Sequence, residues 1–176
     1  MDNLQNVESQ QQYDEFITEE VDEVLYRGNF SKVIRAFHKT TSTDIAVKKI
    51  DLSLAEEQLG EDGLRELFEE VELIQQFDHY AVLPFYGSFN NTAKNELIVF
   101  TAYCPNSLHT IIENVRKQRQ TLSDAQLICY IAQLADGLSY IHLHNMIHGN
   151  LRTSVNISPN TLIHLFIFFV SFNNPT

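Results

Sequence analysis

Thr43-Asp44-Ile45-Ala46-Val47-Lys48-Lys49-Ile50 alternates as a strand does, with Ile45 and Val47 on one face and Ala46 and Lys48 on the other. Two β-branched residues backed by a small alanine and a lysine describe a strand with one face turned to a core and one face presenting a cation. Upstream, residues 21–34 rise in β-branched content around the single Gly28, which predicts strand, turn and strand. Downstream, residues 51–62 are acidic and read as irregular. Over residues 63–77, Leu64, Leu67, Phe68, Val71 and Ile74 recur at helical spacing and form one apolar stripe. Residues 82–89 and 96–102 read as two further strands, parted by Asn90-Asn91-Thr92. Ser107 predicts the cap of a short helix carrying Leu108, Ile111, Ile112 and Val115. Ser123 with Gln126 predicts a capping box ahead of a longer helix that ends near His144. Five strands with one helix inserted after the third, then helices, make an α+β plan: an antiparallel sheet first and helical layers after it.

The chain has 176 residues, 44% of them apolar, which is enough for a domain with its own core. A formal charge of −11 argues against nucleic acid or an anionic membrane as main partner, because either would repel it. Cys104 and Cys129 fit no metal-ligand spacing and suggest no disulfide framework, so the expected setting is reducing and cytoplasmic. The N-terminus carries no basic stretch followed by an apolar one, so no signal peptide is expected. The longest apolar-rich run, residues 162–170, is far short of the roughly 20 residues a membrane span needs. Residues 1–20 are rich in Asn, Gln and Glu and are expected to form a mobile leader.

Four segments then follow one another in a telling order. Leu25-Tyr26-Arg27-Gly28-Asn29-Phe30-Ser31-Lys32-Val33 is a hairpin; Ile45-Ala46-Val47-Lys48 is the next strand; Glu70 lies in the helix after it, ahead of His79; and Leu97-Ile98-Val99-Phe100-Thr101-Ala102-Tyr103-Cys104-Pro105 closes the sheet. Over residues 21–171 this order resembles the protein-kinase superfamily. The resemblance implies a small lobe over residues 21–104 and a partial large lobe over 105–176. It implies that Leu25, Gly28 and Val33 belong to the lid over a nucleotide, although only the middle of the lid's three glycines survives and Tyr26 and Ser31 stand in the other two places. Lys48 would offer a point charge to phosphate oxygens, and Ala46 would leave room for a flat base. Glu70 would pair with Lys48. Thr101 would stand at the back of the pocket, with the backbones of Ala102 and Cys104 bonding the adenine edge. Within the superfamily, Ser107-Leu108-His109-Thr110-Ile111-Ile112, with Lys117 and Arg119, is most similar to the NIMA-related (NEK) serine/threonine kinases.

The pattern departs from the family where the chemistry is done. The family's His-Arg-Asp loop is here His148-Gly149-Asn150, so Asn150 occupies the catalytic base position. An amide cannot take up the hydroxyl proton that a carboxylate accepts. Arg152 keeps a positive charge at the lysine position. Val155 falls where a metal-binding asparagine belongs, and Asn156 comes one place late. Ile167-Phe168-Phe169 fills the Asp-Phe-Gly slot. No aspartate follows Asp136 and no glutamate follows Glu113 within these 176 residues, whereas magnesium is held through oxygen ligands, typically carboxylates.

The expected activity is therefore that of a pseudokinase, a nucleotide- or protein-binding module. ATP would bind weakly without a magnesium site, and a protein partner would cover the large-lobe helix face bearing Leu127, Ile131, Leu134 and Leu138. Two alternatives stand beside it: an active ATP-dependent serine/threonine kinase, and a truncated product without a stable role. His142 and His144 fit a helix end better than a metal site.

Overall fold

The computed structural model describes residues 17–148, 151, 156–157 and 163–165, and these fall into two compact units. The first unit, residues 17–76 with 85–103, is built on five antiparallel strands in the order β1-β2-β3-β5-β4. They are β1 (Ile17–Arg27), β2 (Ser31–His38), β3 (Asp44–Asp51), β4 (Phe85–Asn91) and β5 (Glu96–Ala102). One helix, α1 (Leu52–Ile74), is inserted between β3 and β4. The α+β class and the five-stranded antiparallel sheet are thus as expected from the sequence.

Alternation along the strands places the core. Ile34 and Ala36 of β2, Ile45 and Val47 of β3, Phe89 of β4, and Ile98 and Phe100 of β5 form one buried cluster, with the Phe89 and Phe100 rings stacked 5.9 Å apart. The register fixes what shares the other face. Val33 lies opposite Lys48 and Lys48 opposite Val99; Arg35 lies opposite Ala46 and Ala46 opposite Thr101. Residues directly opposite in an antiparallel ladder share a face.

Several boundaries differ from the sequence reading. β1 starts at Ile17, inside the expected leader, because β2 is long enough to offer backbone partners as far as His38, which pairs with Ile17. Residues 52–59 are helical, not irregular. Asp51 caps them by accepting from the Leu54 N–H at 3.0 Å, and Leu52 and Ala55 are buried on one side. Acidic residues do not oppose a helix, and Gly60 hides its continuity by breaking the period. With φ 74° and ψ 177°, Gly60 kinks α1 in a conformation open in practice to glycine alone. Past the kink, Leu67, Val71 and Ile74 are buried, Leu64 and Phe68 half-buried, and Leu73 exposed. β4 begins at Phe85 and not at residue 82, since Pro84 has no N–H for a ladder. The β4–β5 turn falls at residues 92–95, where Asn95 takes a positive φ of 51°.

The second unit comprises residues 77–84 and the described residues from 104 onward. The Ser107 hydroxyl accepts from the Thr110 N–H at 3.1 Å and starts α2 (Leu108–Lys117). Ser123 starts α3 (Asp124–Leu143) through the full capping box: its hydroxyl accepts from the Gln126 N–H, and its own N–H donates to the Gln126 side chain at 3.0 Å. Ser123→Ala is expected to destabilise this unit by about 1 kcal/mol, read as a lower urea midpoint with an unchanged slope.

α3 turns Tyr130, Gln133, Gly137 and Ile141 inward. On the adjoining side Leu127, Ile128 and Ile131 are exposed, the last two by 67% and 63%, while Leu134 and Leu138 are half-buried. Three two-residue strands, β6 (Asn106–Ser107), β7 (Asn156–Ile157) and β8 (Ile163–His164), pair antiparallel in that order. Strands this short carry no readable periodicity. Among the described residues no helix is long and apolar enough to cross a membrane.

Candidate functional site

The face of the first unit's sheet opposite its core gathers Val33, Ala46, Lys48 and Thr101 of the residues that the sequence singles out. Lys48 is 7% exposed and Glu70, arriving from α1, is 8% exposed. Burial pushes the Lys48 ammonium from its ordinary 10.5 down to about 7, against the pull of the Glu70 carboxylate, which favours the charged form. Desolvation outweighs attraction here. Near neutral pH this amine is poised between its charged and neutral forms, and an arriving anion would draw it to the charged one. Ala46 and Thr101 lie side by side in the next row and are buried; Val33 is half-buried and Val99 is fully enclosed beside Lys48.

The β1–β2 turn lies at one end of this sheet. The Gly28 N–H donates to the Ser31 carbonyl at 2.7 Å. A Cβ built on Gly28 would meet both the Tyr26 ring and the Ser31 hydroxyl at 3.2 Å, so the two residues standing in place of glycines crowd the one that remains. Leu25 is exposed and Gly28 half-buried.

A cluster that the sequence reading missed lies further along the same strands. The Arg35 guanidinium forks onto Asp44, Nε to Oδ1 at 2.8 Å and Nη2 to Oδ2 at 2.9 Å. Its plane lies 5.0 Å from the Tyr103 ring centre and 5.9 Å from that of Phe37. The available signal was alternation: Arg35 and Phe37 are two apart on β2, and Phe37 pairs with Asp44. Reading it requires the register, which composition does not reveal.

Ala102 ends β5 half-buried, and Cys104 falls to the second unit. Burial pushes the Cys104 thiol up to about 11, so it is no nucleophile at neutral pH. In the second unit His148 is buried, and burial holds its imidazole below the usual value, toward the neutral form, although a bond with its own backbone opposes this. Asp136, the last acid in the sequence, is engaged: the Tyr80 hydroxyl donates to it at 2.6 Å, and His79 Nε2 lies 3.5 Å away. His144 ends α3 with Nδ1 2.8 Å from the Tyr140 carbonyl. Asn156 enters β7 opposite Ser107 and His164. Asn150, Arg152, Val155 and the segment 167–169 lie outside the described residues. Among the described residues no three His, Cys, Asp or Glu side chains are placed to hold a metal ion.

Comparison with known proteins gives two results. The family model for the protein kinase domain matches residues 20–159. The fold is similar to a crystal structure of Rad53 1-466 in complex with AMP-PNP, with a TM-score of 0.71 and 18% sequence identity. The match covers 91% of this chain and 40% of that one. At such identity the likeness is one of fold.

Proposed function

We propose, from the premise that this chain belongs to the protein kinase domain family, that it is a pseudokinase-type module that binds an adenine nucleotide weakly and transfers no phosphoryl group. One observation carries the proposal. Lys48 and Glu70 are buried together on the sheet face that also holds Ala46 and Thr101, while the loop that should carry a carboxylate base has Asn150 in the sequence. Binding parts are retained and the proton acceptor is not.

The ligand class follows from what that face can do. Val33, Ala46 and Thr101 suit a flat base, and Lys48 stands in the row beside them. The similar Rad53 chain was crystallised with AMP-PNP, which supports a nucleotide ligand for this chain too. Val155 and Ile167 stand at the family's two metal-binding positions in the sequence, so a bound nucleotide would bring any divalent ion with it from solution. The finer assignments belong to the same proposal: NEK-like affinity within the family, a cytoplasmic setting, and a protein partner over Leu127, Ile128 and Ile131.

Calorimetric titration of the full chain with ATP, with and without Mg²⁺, tests this alongside a radiolabelled transfer assay. The expected result is binding in the range of tens of micromolar or weaker, changed less than about threefold by the metal, with no transfer. Tight, strictly magnesium-dependent binding would overturn it. So would phosphate transfer that disappears in Lys48→Met, which would establish the alternative of an active kinase.

A further inference from the structure

We infer that this sheet face recognises the nucleoside part of its ligand and not the phosphate chain, so that adenosine and ATP bind with comparable affinity. The inference rests on the nucleotide-binding reading and narrows it to a ligand class.

Charge is the first ground. The register places two cations on the face, Lys48 and Arg35. Each is matched by an acid: Glu70 acts on Lys48, and Asp44 holds Arg35 through both carboxylate oxygens. These four groups sum to zero when all are ionised. A triphosphate brings about four negative charges, and the protein as a whole carries −11. Lys48, poised near neutral pH, offers less than a full charge before the ligand arrives.

The lid is the second ground. Phosphate oxygens are held by backbone N–H groups in glycine-rich turns because glycine lets the backbone come close. Here the Gly28 N–H is already donated to Ser31. The Tyr26 ring and the Ser31 side chain both stand within 3.2 Å of where a Cβ on Gly28 would lie. A phosphate approaching that turn meets a phenol ring and a hydroxymethyl group in two places where the family has bare backbone.

The base-binding surface is the third ground, because it shows no comparable defect. Ala46 and Thr101 lie side by side on this face, and the half-buried Val33 lies on the same face opposite Lys48. Apolar contact with a purine ring needs neither a net charge nor a metal.

The test is titration of the full chain with adenosine, AMP, ADP and ATP near neutral pH, each with and without Mg²⁺. The expected outcome is four dissociation constants within about threefold of one another. The double substitution Tyr26→Gly/Ser31→Gly should then tighten ATP relative to adenosine by about tenfold or more, since it reopens the lid; Tyr26 is the ladder partner of Val33, so the adenosine affinity of the same variant is the control for the base surface. Wild-type binding of ATP at least about tenfold tighter than adenosine would overturn the inference while leaving the nucleotide-binding reading intact. A failure of all four ligands to bind would overturn that reading itself, and this inference with it.

Discussion

Lys48→Met alone should lower folding stability by on the order of 3 kcal/mol, and Lys48→Met/Glu70→Met should bring it back to wild type or above. The single change removes the ammonium that acts on a carboxylate only 8% exposed. The double change removes both charges from a site where burial already outweighs their attraction, as the depressed Lys48 value shows. Glu70→Met alone should be milder, because Lys48 escapes its loss by releasing a proton near neutral pH.

The sign of the pH dependence follows. The folded-state value of about 7 lies below the ordinary 10.5, so between these limits the unfolded chain binds the extra proton. Stability therefore rises with pH through that window, and the penalty for a charged, buried Lys48 is fully present below it. Cys104 works the other way, because its thiol ionises at about 9 when unfolded but only at about 11 when folded. His148 acts below its ordinary 6.5. The clean range is thus from about pH 7 to 9. Thermal melts across it should climb in the wild-type protein and flatten in the double variant. A wild-type melting temperature that fell across this range would refute the account.

The resemblance to the protein kinase family is what singled out Lys48 and Glu70 as a pair, whereas the strand and helix that carry them were legible because their signals are local. The two-residue alternation from Ile45 to Lys48 and the spacing of the α1 stripe each need only a short window of sequence. The Ser123–Gln126 cap was legible for the same reason. What escaped reading depended on distant chain. The helix over residues 52–59 is defined by two buried positions and an Asp51 cap, then cut off from the later stripe by Gly60. The Arg35–Asp44 fork exists because a turn folds β3 back along β2 in one particular register, placing side chains nine residues apart in contact. The break at Pro84 is visible in the sequence, yet nothing there says that residues 81–83 pair with Leu165 across more than eighty residues. Asn150, which the resemblance puts at the catalytic base position, lies outside the described residues.

The Leu165 pairing yields the second large effect, in which helix propensity points the wrong way. Glycine inside a helix is ordinarily about 1 kcal/mol worse than alanine, so Gly137→Ala in α3 would normally stabilise. Here a Cβ on Gly137 would sit 2.8 Å from Leu165 Cδ1, 3.1 Å from the Ala81 Cβ and 3.2 Å from the Ala81 carbonyl oxygen. The side chain can move aside, but the carbonyl cannot, because it accepts from the Leu165 N–H at 2.7 Å while the Leu165 carbonyl accepts from Leu83 at 3.0 Å. Gly137→Ala is therefore expected to destabilise by about 1–3 kcal/mol, and Gly137→Val by more. Leu165 is fully enclosed, so Leu165→Ala should itself cost about 2–5 kcal/mol through the cavity it leaves. The two changes should not add. With the leucine gone, the new methyl group loses its nearest obstacle and fills part of the void, so the double variant should be more stable than the sum of the single losses predicts. Urea denaturation of the four proteins in this cycle measures the coupling. Strict additivity, or a Gly137→Ala variant more stable than wild type, would mean that α3 does not pack against Ala81 and Leu165 at this glycine.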